Sequence, residues 1–179
     1  MPRPLQRSPQ RSPQRSPQIA RQPARPRSAT DTTDWLALDH QLCFAVYSAS
    51  LAMTKLYKPL LEPLGLTYPQ YLVMLVLWEG DGLTVSQLGE RLSLDSGTLT
   101  PLLKRLEAAG LLQRLRDAAD ERRVLLRLSP AGRKLKTRAA RVPRAVACAT
   151  GCSIDEVAAL VTHLTALRSQ LNRFTPVAA

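Results

Sequence analysis

Residues 95 to 109 read DSGTLTPLLKRLEAA, and Gly110 follows them. The leucines of this stretch recur at intervals of three and four residues, which places them on one face of an α-helix. Asp95 is a favourable N-cap, and Gly110 is a favourable C-terminal stop. The sequence therefore predicts a helix over residues 96–109 that buries Leu99, Leu102, Leu103 and Leu106.

The opposite face of this helix suits contact with nucleic acid. It carries small hydrogen-bonding residues first and cations later, and such groups reach phosphates and base edges. A solvated surface is the simpler interpretation for one isolated helix, so the flanking elements decide between the two. Pro101 falls in the second turn, where it removes a backbone hydrogen bond. The candidate DNA-binding residues are Ser96, Gly97, Thr98, Thr100, Pro101, Lys104 and Arg105.

The residues before this stretch complete a helix-turn-helix. Thr67 is a predicted cap for a helix over 68–79, which is apolar on almost every side and should therefore be buried. Thr84 is a predicted cap for a short helix over 85–92, and a three-residue break leads into the helix at Ser96. Two helices joined by a short turn, the second with a polar leading face, have the helix-turn-helix arrangement.

The residues after Gly110 predict a β-hairpin. The runs LLQRLR (111–116) and RRVLLRLS (122–129) are strand-like, and the charged loop DAADE separates them. A hairpin directly after a DNA-reading helix is a wing, and Arg122 at its tip is placed to enter a minor groove. The loop carboxylates should brace arginines such as Arg116 and Arg122. These carboxylates are Asp120 and its neighbours Asp117 and Glu121.

Long amphipathic helices flank this core. One apolar stripe runs from Asp34 to Leu60. A second helix begins at Ser129-Pro130, runs to about Arg141 and bends or restarts at Pro143, and a capping box at Ser153 begins the last one. Such helices suggest packing across a two-fold axis. The predicted fold class is mainly α with a small β-hairpin wing: a winged helix-turn-helix over 67–129, with long terminal helices over 34–66 and 130–179 forming a dimerisation region.

Charge and composition favour a DNA-binding protein that is not membrane-bound. The chain carries 25 basic and 14 acidic residues, a net charge of +11, which indicates an anionic partner. Residues 1–33 repeat QRSP three times. We interpret them as a disordered basic tail that either attracts DNA nonspecifically or, more simply, is a dispensable extension. No stretch resembles a signal peptide or a transmembrane span, so we expect a cytoplasmic protein with reduced thiols.

The three cysteines raise the question of redox or metal chemistry. Cys43 shares a helix face with Tyr47, one turn away, whereas Tyr57 is fourteen residues on, roughly 21 Å along the axis. Tyr57 therefore cannot touch Cys43 of its own helix, although an antiparallel partner helix would bring it there. Cys148 and Cys152 with the two histidines do not have a zinc-ligand spacing, so we expect no metal and no cofactor.

Four segments resemble one known family. They are LDHQLCFAVYSAS, KLYKPLLEPLGLTYPQYLVMLVLWE, LTVSQLGERLSLDSGTLTPLLKRLEAAGLL and DAADERR. Over roughly residues 36–150 the chain resembles the MarR family of winged-helix repressors, and within it the organic hydroperoxide resistance regulators of the two-cysteine type. The resemblance implies that Cys43 is the peroxide-sensing cysteine and that Tyr57 and Tyr68 reach it from the other subunit. It further implies that Tyr47 lies near the pocket, that Cys148 is the resolving cysteine, and that Cys152 has a counterpart, which we interpret as a bystander.

The function that this resemblance implies is a homodimeric, redox-sensing repressor. It would bind a pseudo-palindromic double-stranded operator when reduced, with two copies of the helix 96–109 in successive major grooves. The inducer would be an organic hydroperoxide, that of a lipid, which would enter an apolar pocket at the dimer junction and oxidise Cys43. An intersubunit disulfide with Cys148 would then release the DNA. The alternatives are a MarR repressor released by a reversible small ligand and, with less support, a thiol peroxidase.

Overall fold

In the computed structural model, which describes residues 34–117, 120 and 122–174, short-range caps set the ends of the central helices. Helix α1 spans Leu42–Leu61, and α2 spans Tyr68–Glu79 behind the capping box of Thr67. Helix α3 spans Val85–Leu92 behind the capping box of Thr84. Helix α4 spans Ser96–Ala108, as the leucine spacing predicts.

Besides short 3-10 turns, the described residues also form a small sheet and three further α-helices. Strand β1 is Leu83–Thr84, β2 is Leu112–Arg116 and β3 is Val124–Leu128, in the antiparallel order β1-β3-β2. The predicted hairpin pairs Arg114 with Leu126. The sequence did not predict β1, whose two residues join the hairpin only because Leu83 pairs with Leu126 of β3. Three helices follow, α5 (Pro130–Ala139), α6 (Arg141–Thr150) and α7 (Ile154–Arg173).

Residues 34–41 form a separate short unit, and here the predicted helix from Asp34 is wrong. The segment contains only a 3-10 turn at Leu38–His40, and the backbone is extended at Gln41. A carboxylate oxygen of Asp34 accepts a hydrogen bond from the backbone N–H of Leu36 at 3.0 Å, and the Gln41 side chain donates to the Trp35 carbonyl. Such local side-chain bonds offer the backbone an alternative to the helix.

The core of the second unit lies around α2. Val73, Met74 and Leu77 are at most 1% exposed, as the continuous apolar run predicts. The indole N–H of Trp78 donates to the carbonyl of Gly132 at 2.9 Å, which ties α2 to α5. The turn between α3 and α4 is tight, because a Cβ on Gly89 would lie 2.8 Å from the Leu94 carbonyl oxygen. That close approach fixes the two helices of the helix-turn-helix.

Among the described residues, no single helix has both the length and the apolar character needed to cross a bilayer. The basic tail at 1–33 and the loop residue Glu121 lie outside the described residues.

Candidate DNA-binding surface and thiol site

The face of α4 that we predicted to contact DNA is turned to solvent. Its leucines Leu99, Leu103 and Leu106 are at most 1% exposed and hold the other face against the core. The exposed residues are Ser96, Gly97, Thr98, Thr100, Pro101, Lys104 and Arg105. The helix therefore presents the complete predicted set on one accessible surface.

The beginning of α4 is built by Asp95. One carboxylate oxygen accepts the backbone N–H of Thr98 at 2.9 Å, and the other accepts the Thr98 hydroxyl at 2.8 Å. The Thr98 backbone bond, followed by its hydroxyl bond, lowers the pKa of Asp95. A Cβ on Gly97 would approach the same carboxylate to 3.0 Å, which favours glycine there. The backbone N–H and the hydroxyl of Thr98 are thus bound to the helix cap, whereas Ser96 and Gly97 are exposed to solvent in the first turn.

Pro101 is accommodated inside α4 without ending the helix. The Thr100 hydroxyl donates to the Ser96 carbonyl at 2.7 Å, so the lone pairs of that hydroxyl remain available. A hydroxyl in this state accepts hydrogen bonds, which suits the exocyclic amino groups of adenine and cytosine in a major groove.

Asp120 braces the wing through the backbone rather than through a guanidinium group. Its carboxylate accepts the backbone N–H of Arg122 at 3.0 Å, and its carbonyl accepts the N–H of Arg123 at 2.9 Å. A carboxylate oxygen of Asp117 lies 3.9 Å from the guanidinium group of Arg123, a neighbouring arginine of the wing. The turn therefore fixes the backbone of Arg122 and leaves its side chain exposed.

A concave groove joins α4 to the wing. Three of the candidate DNA-binding residues line this groove, namely Ser96, Thr100 and Arg122. The structure adds four that sequence reasoning missed, namely Ser86, Gln87, Arg114 and Arg123. The capping box at Thr84 was the signal for the first two, because it places them at the beginning of α3. Three arginines and two helix starts make the groove suited to a phosphate backbone.

Cys43 lies in the first turn of α1 and is exposed. Cys43 lies closer to the helix start than a helix from Asp34 would place it, because α1 begins at Leu42. A thiolate there would lie at the positive end of the helix dipole, which favours anions within the first turn. Tyr47, one turn further on, is 60% exposed. Both predicted residues thus lie on an accessible part of α1.

Tyr57 and Tyr68 are brought together, with ring centroids 4.6 Å apart. Tyr71, which the sequence did not single out, lies 5.8 Å from Tyr57 and extends the cluster into the core. Burial, followed by the neighbouring Tyr68 and Tyr71, raises the pKa of Tyr57, so its hydroxyl keeps its proton at neutral pH. Within one protomer these rings are separated from Cys43 by the fourteen-residue spacing along α1, roughly 21 Å.

Cys148 and Cys152 occupy different kinds of structure. Cys148 is exposed in the last turn of α6, whereas Cys152 follows the helix end at Gly151 and is partly buried. The Cys152 thiol lies 3.6 Å from the Thr150 carbonyl oxygen. Among the described residues, no cluster of His, Cys, Asp or Glu has the arrangement of a metal site.

Comparison with known families and curated proteins agrees with this architecture. Residues 55–139 match the family model described as transcriptional regulator SarA/Rot. The chain is 52% identical over 145 residues to the HTH-type transcriptional regulator TtmR of Methylorubrum extorquens, covering 81% of this chain and 74% of that protein. It is 54% identical over 110 residues to the organic hydroperoxide resistance transcriptional regulator of Bacillus subtilis, covering 62% of this chain and 75% of that protein.

Solved structures lead to the same conclusion. Reduced AbfR bound to DNA superposes with a TM-score of 0.64 at 34% identity, covering 76% of this chain and 96% of that one. The structure of disulfide-formed AbfR superposes with a TM-score of 0.52 at 35% identity, covering 73% of this chain and 91% of that one. The structure of PcaV of Streptomyces coelicolor with its natural ligand superposes with a TM-score of 0.67 at 28% identity, covering 75% of this chain and 96% of that one. This chain belongs to the MarR family of winged-helix transcriptional regulators.

Proposed function

We propose that this protein is a repressor that senses organic hydroperoxides through Cys43. The observation that carries the proposal is the exposed thiol in the first turn of α1, on a chain 54% identical to an organic hydroperoxide resistance regulator. Exposure is one of the conditions under which a cysteine thiol reacts. The proposed sensor requires Cys43 to be a reduced thiol before it meets the hydroperoxide, and the proposed cytoplasmic location would keep it reduced.

The proposed active form is a homodimer. The first half of α1 exposes Leu42, Phe44, Val46 and Leu51, and α7 buries none of its residues in the protomer. Amphipathic helices that expose apolar side chains are stabilised by a second protein surface. An antiparallel pairing of two α1 helices would cover this surface and would bring Tyr57 of one protomer to Cys43 of its partner. The dimerisation region that we propose thus comprises 34–66 and 130–179, flanking the DNA-binding core 67–129.

The proposed partner of the reduced dimer is a pseudo-palindromic operator. Each α4 would enter a major groove, with Ser96, Gly97 and Thr100 nearest the bases and Lys104 and Arg105 nearest the phosphates. Arg122 of each wing would enter the adjacent minor groove, where the narrow groove favours arginine. Lys104, Arg105 and Arg122 form no ion pair with a residue that the structure describes, so their charges are available.

The proposed chemistry has two steps. The Cys43 thiolate attacks the distal oxygen of the hydroperoxide, the O–O bond breaks, and the sulfur becomes a sulfenic acid, while the released alkoxide takes a proton from solvent and leaves as the alcohol. The Cys148 thiolate of the partner subunit then attacks that sulfur and forms a disulfide as the S–O bond breaks, and the released hydroxide takes a proton from solvent and leaves as water. The hydroxyl groups of Tyr57 and Tyr68 would donate hydrogen bonds to the reacting thiolate. The raised pKa of Tyr57 keeps its hydroxyl protonated at neutral pH, as this role requires.

Disulfide formation would release the operator by changing the spacing of the two α4 helices. Within a protomer α6, which carries Cys148, packs against α1, which carries Cys43. We expect the two thiols to start far apart in the dimer, so bringing them to bonding distance would require the dimer helices to shift or partly unfold. The two α4 helices no longer match successive major grooves when their separation changes.

Reversible release by a small ligand is the second candidate, because the chain also superposes on ligand-bound PcaV. Alkylation of the three thiols separates the two functions. Release from DNA by hydroperoxide that survives alkylation supports the reversible ligand, and loss of release supports the thiol mechanism. A thiol peroxidase would instead turn over hydroperoxide without DNA.

The decisive experiment follows the cysteine linkages by mass spectrometry while DNA binding is measured on the same samples. After treatment with an organic hydroperoxide, a Cys43–Cys148 peptide pair should form as operator binding is lost. In Cys148→Ser the slow-migrating dimer band on non-reducing gels should disappear, whereas Cys152→Ser should keep it. A band that survives in Cys148→Ser and disappears in Cys152→Ser assigns the resolving role to Cys152 instead.

A further inference from the structure

Helices α5 and α6 form one nearly continuous element, residues 130–150, which we call the arm. Ala140 joins the two helices and keeps helical backbone angles, with φ −58° and ψ −22°. One buried stripe crosses this joint at intervals of four, three and four residues, as a single helix face does. The stripe consists of Leu135, Ala139, Val142 and Val146. The arm therefore begins after the wing strand β3 and carries Cys148 near its other end.

Lys136 of the arm is bound to the last turn of α2. Its Nζ donates a hydrogen bond to the carbonyl oxygen of Trp78 at 2.7 Å. The last carbonyl groups of a helix have no partner within that helix, and a cation near them is favoured by the helix dipole. The indole N–H of the same tryptophan donates to the carbonyl of Gly132, at the beginning of the arm, at 2.9 Å. The end of α2 is thus bonded to the arm in both directions.

Arg138 of the arm is bound to the turn that precedes α2. Its Nη2 donates to the carbonyl oxygen of Pro63 at 2.6 Å. Pro63 lies in the 3-10 turn Glu62–Leu64, which joins α1 to the segment before α2. Hydrogen bonds from a charged donor are shorter and roughly twice as strong as those between neutral groups. Two cations of the arm therefore hold the chain on both sides of α2.

Through α2 the arm is connected to the helices that we propose to read DNA. The buried α2 packs against both α3 and α4. Close-packed interiors transmit displacement because they compress very little. Cys148 lies twelve residues beyond Lys136, roughly 18 Å along a helix. The arm therefore links the proposed resolving cysteine to the core of the winged helix-turn-helix.

We propose that Lys136 and Arg138 are positioning residues that transmit the oxidation of Cys148 to the DNA-binding core. The inference rests on the proposed function and adds the route by which the disulfide changes operator binding. When the disulfide displaces the arm, the two bonded carbonyl groups move with it, and α2 carries α3 and α4 along. Without the two bonds the arm shifts while α2 keeps its position. Neither residue takes part in the redox chemistry itself.

The test measures operator affinity of the full-length protein by fluorescence anisotropy before and after treatment with an organic hydroperoxide. Couplings between sites usually amount to between about fivefold and 150-fold in affinity. Oxidation should weaken operator binding on the order of 100-fold in wild type and about tenfold or less in Lys136→Gln/Arg138→Gln. The ratio of oxidised to reduced affinity cancels any direct effect of the lost charges on DNA attraction.

Two further variants separate transmission from a general structural role. Lys134→Gln is the matched control, because Lys134 is an exposed lysine of the same helix and shows no bond to α2 or to the turn before it. It should keep the wild-type ratio. Lys136→Arg/Arg138→Lys retains both cationic donors and should restore most of the ratio. Operator binding by the reduced double glutamine variant shows that it is folded, and each single glutamine variant should give an intermediate ratio.

Non-reducing gels of the same samples distinguish failure of the inference from failure of the proposed function. The Cys43–Cys148 disulfide should form to the same extent in the double glutamine variant as in wild type. A wild-type ratio in that variant overturns the inference and assigns transmission to the apolar stripe, and a loss of the disulfide in it overturns the inference as well. If oxidation leaves wild-type operator binding unchanged, the proposed function fails, and the inference fails with it.

Discussion

Glu107 and Arg114 connect α4 to the wing. One carboxylate oxygen of Glu107 accepts the backbone N–H of Arg114 at 3.0 Å, and the other accepts the guanidinium Nε–H at 2.8 Å. Glu107 lies in the last turn of α4 and Arg114 in the middle of β2, so the pair fixes the two elements against each other. Arg114 also lines the groove that α4 and the wing share.

Removing this connection should cost little stability, with a defined pH dependence. Hydrogen bonds from the Arg114 side chain and then its backbone lower the pKa of Glu107 below its usual 4.5. Such a carboxyl stabilises the fold above its usual pKa, and the contribution is lost as the pH falls through the folded value. In Glu107→Gln the free energy of unfolding should fall by about 1 kcal/mol or less, because the pair is partly exposed.

Urea unfolding of wild type and Glu107→Gln across a pH series checks this. The wild-type advantage should be constant at neutral pH and should shrink once the pH drops below 4.5. An advantage that grows on acidification would contradict the pairing.

Gly132 should tolerate no side chain. A Cβ there would lie 2.0 Å from the Leu111 carbonyl oxygen, which is backbone and cannot rotate away. We expect Gly132→Ala to lower the free energy of unfolding by about 3 kcal/mol, the upper range for overpacking. Thermal unfolding measures the change. Gly80→Ala is the matched control, because a Cβ at Gly80 meets no atom within 4 Å, and a melting temperature lowered equally in both variants would rule out the close contact.

Arg122→Ala should weaken operator binding through the wing. Loss of one cation at the duplex should reduce the affinity about tenfold and the slope of log affinity against log salt by about one. Fluorescence anisotropy with labelled operator at several salt concentrations measures both quantities. Lys134→Ala removes an exposed cation outside the groove and should change neither. An unchanged salt slope in Arg122→Ala would place the wing away from DNA.

Cys43→Ser should separate repression from sensing. The serine hydroxyl cannot form a sulfenic acid, so the variant should bind operator as wild type does and remain bound in the presence of organic hydroperoxide. A gel-shift titration with hydroperoxide measures the response, and Cys152→Ser should respond as wild type does. Release of Cys43→Ser by hydroperoxide would refute the sensing role of this cysteine.

Local patterns predicted the helices of the winged helix-turn-helix almost to the residue. The helices at 68–79, 85–92 and 96–108 begin where Thr67, Thr84 and Asp95 act as caps. Caps act over three or four residues, so their effect can be read from the chain alone. The helix predicted to begin at Asp34 is wrong, because hydrogen bonds from the side chains of Asp34 and Gln41 satisfy nearby backbone groups without a helix.

The amino-acid sequence by itself determined the polar face of α4, the hairpin after it and the cysteines at 43 and 148. Only the tertiary structure decided which distant residues meet. It brought Arg114 and Arg123 into the groove of Ser96, placed Tyr71 beside Tyr57, and put Lys55 and Lys58 on one cleft with Tyr68. The physical reason is the distance along the chain over which each effect acts. Helix caps and helical periodicity depend on residues within a turn or two, whereas these contacts depend on how the buried α2 packs against its neighbours.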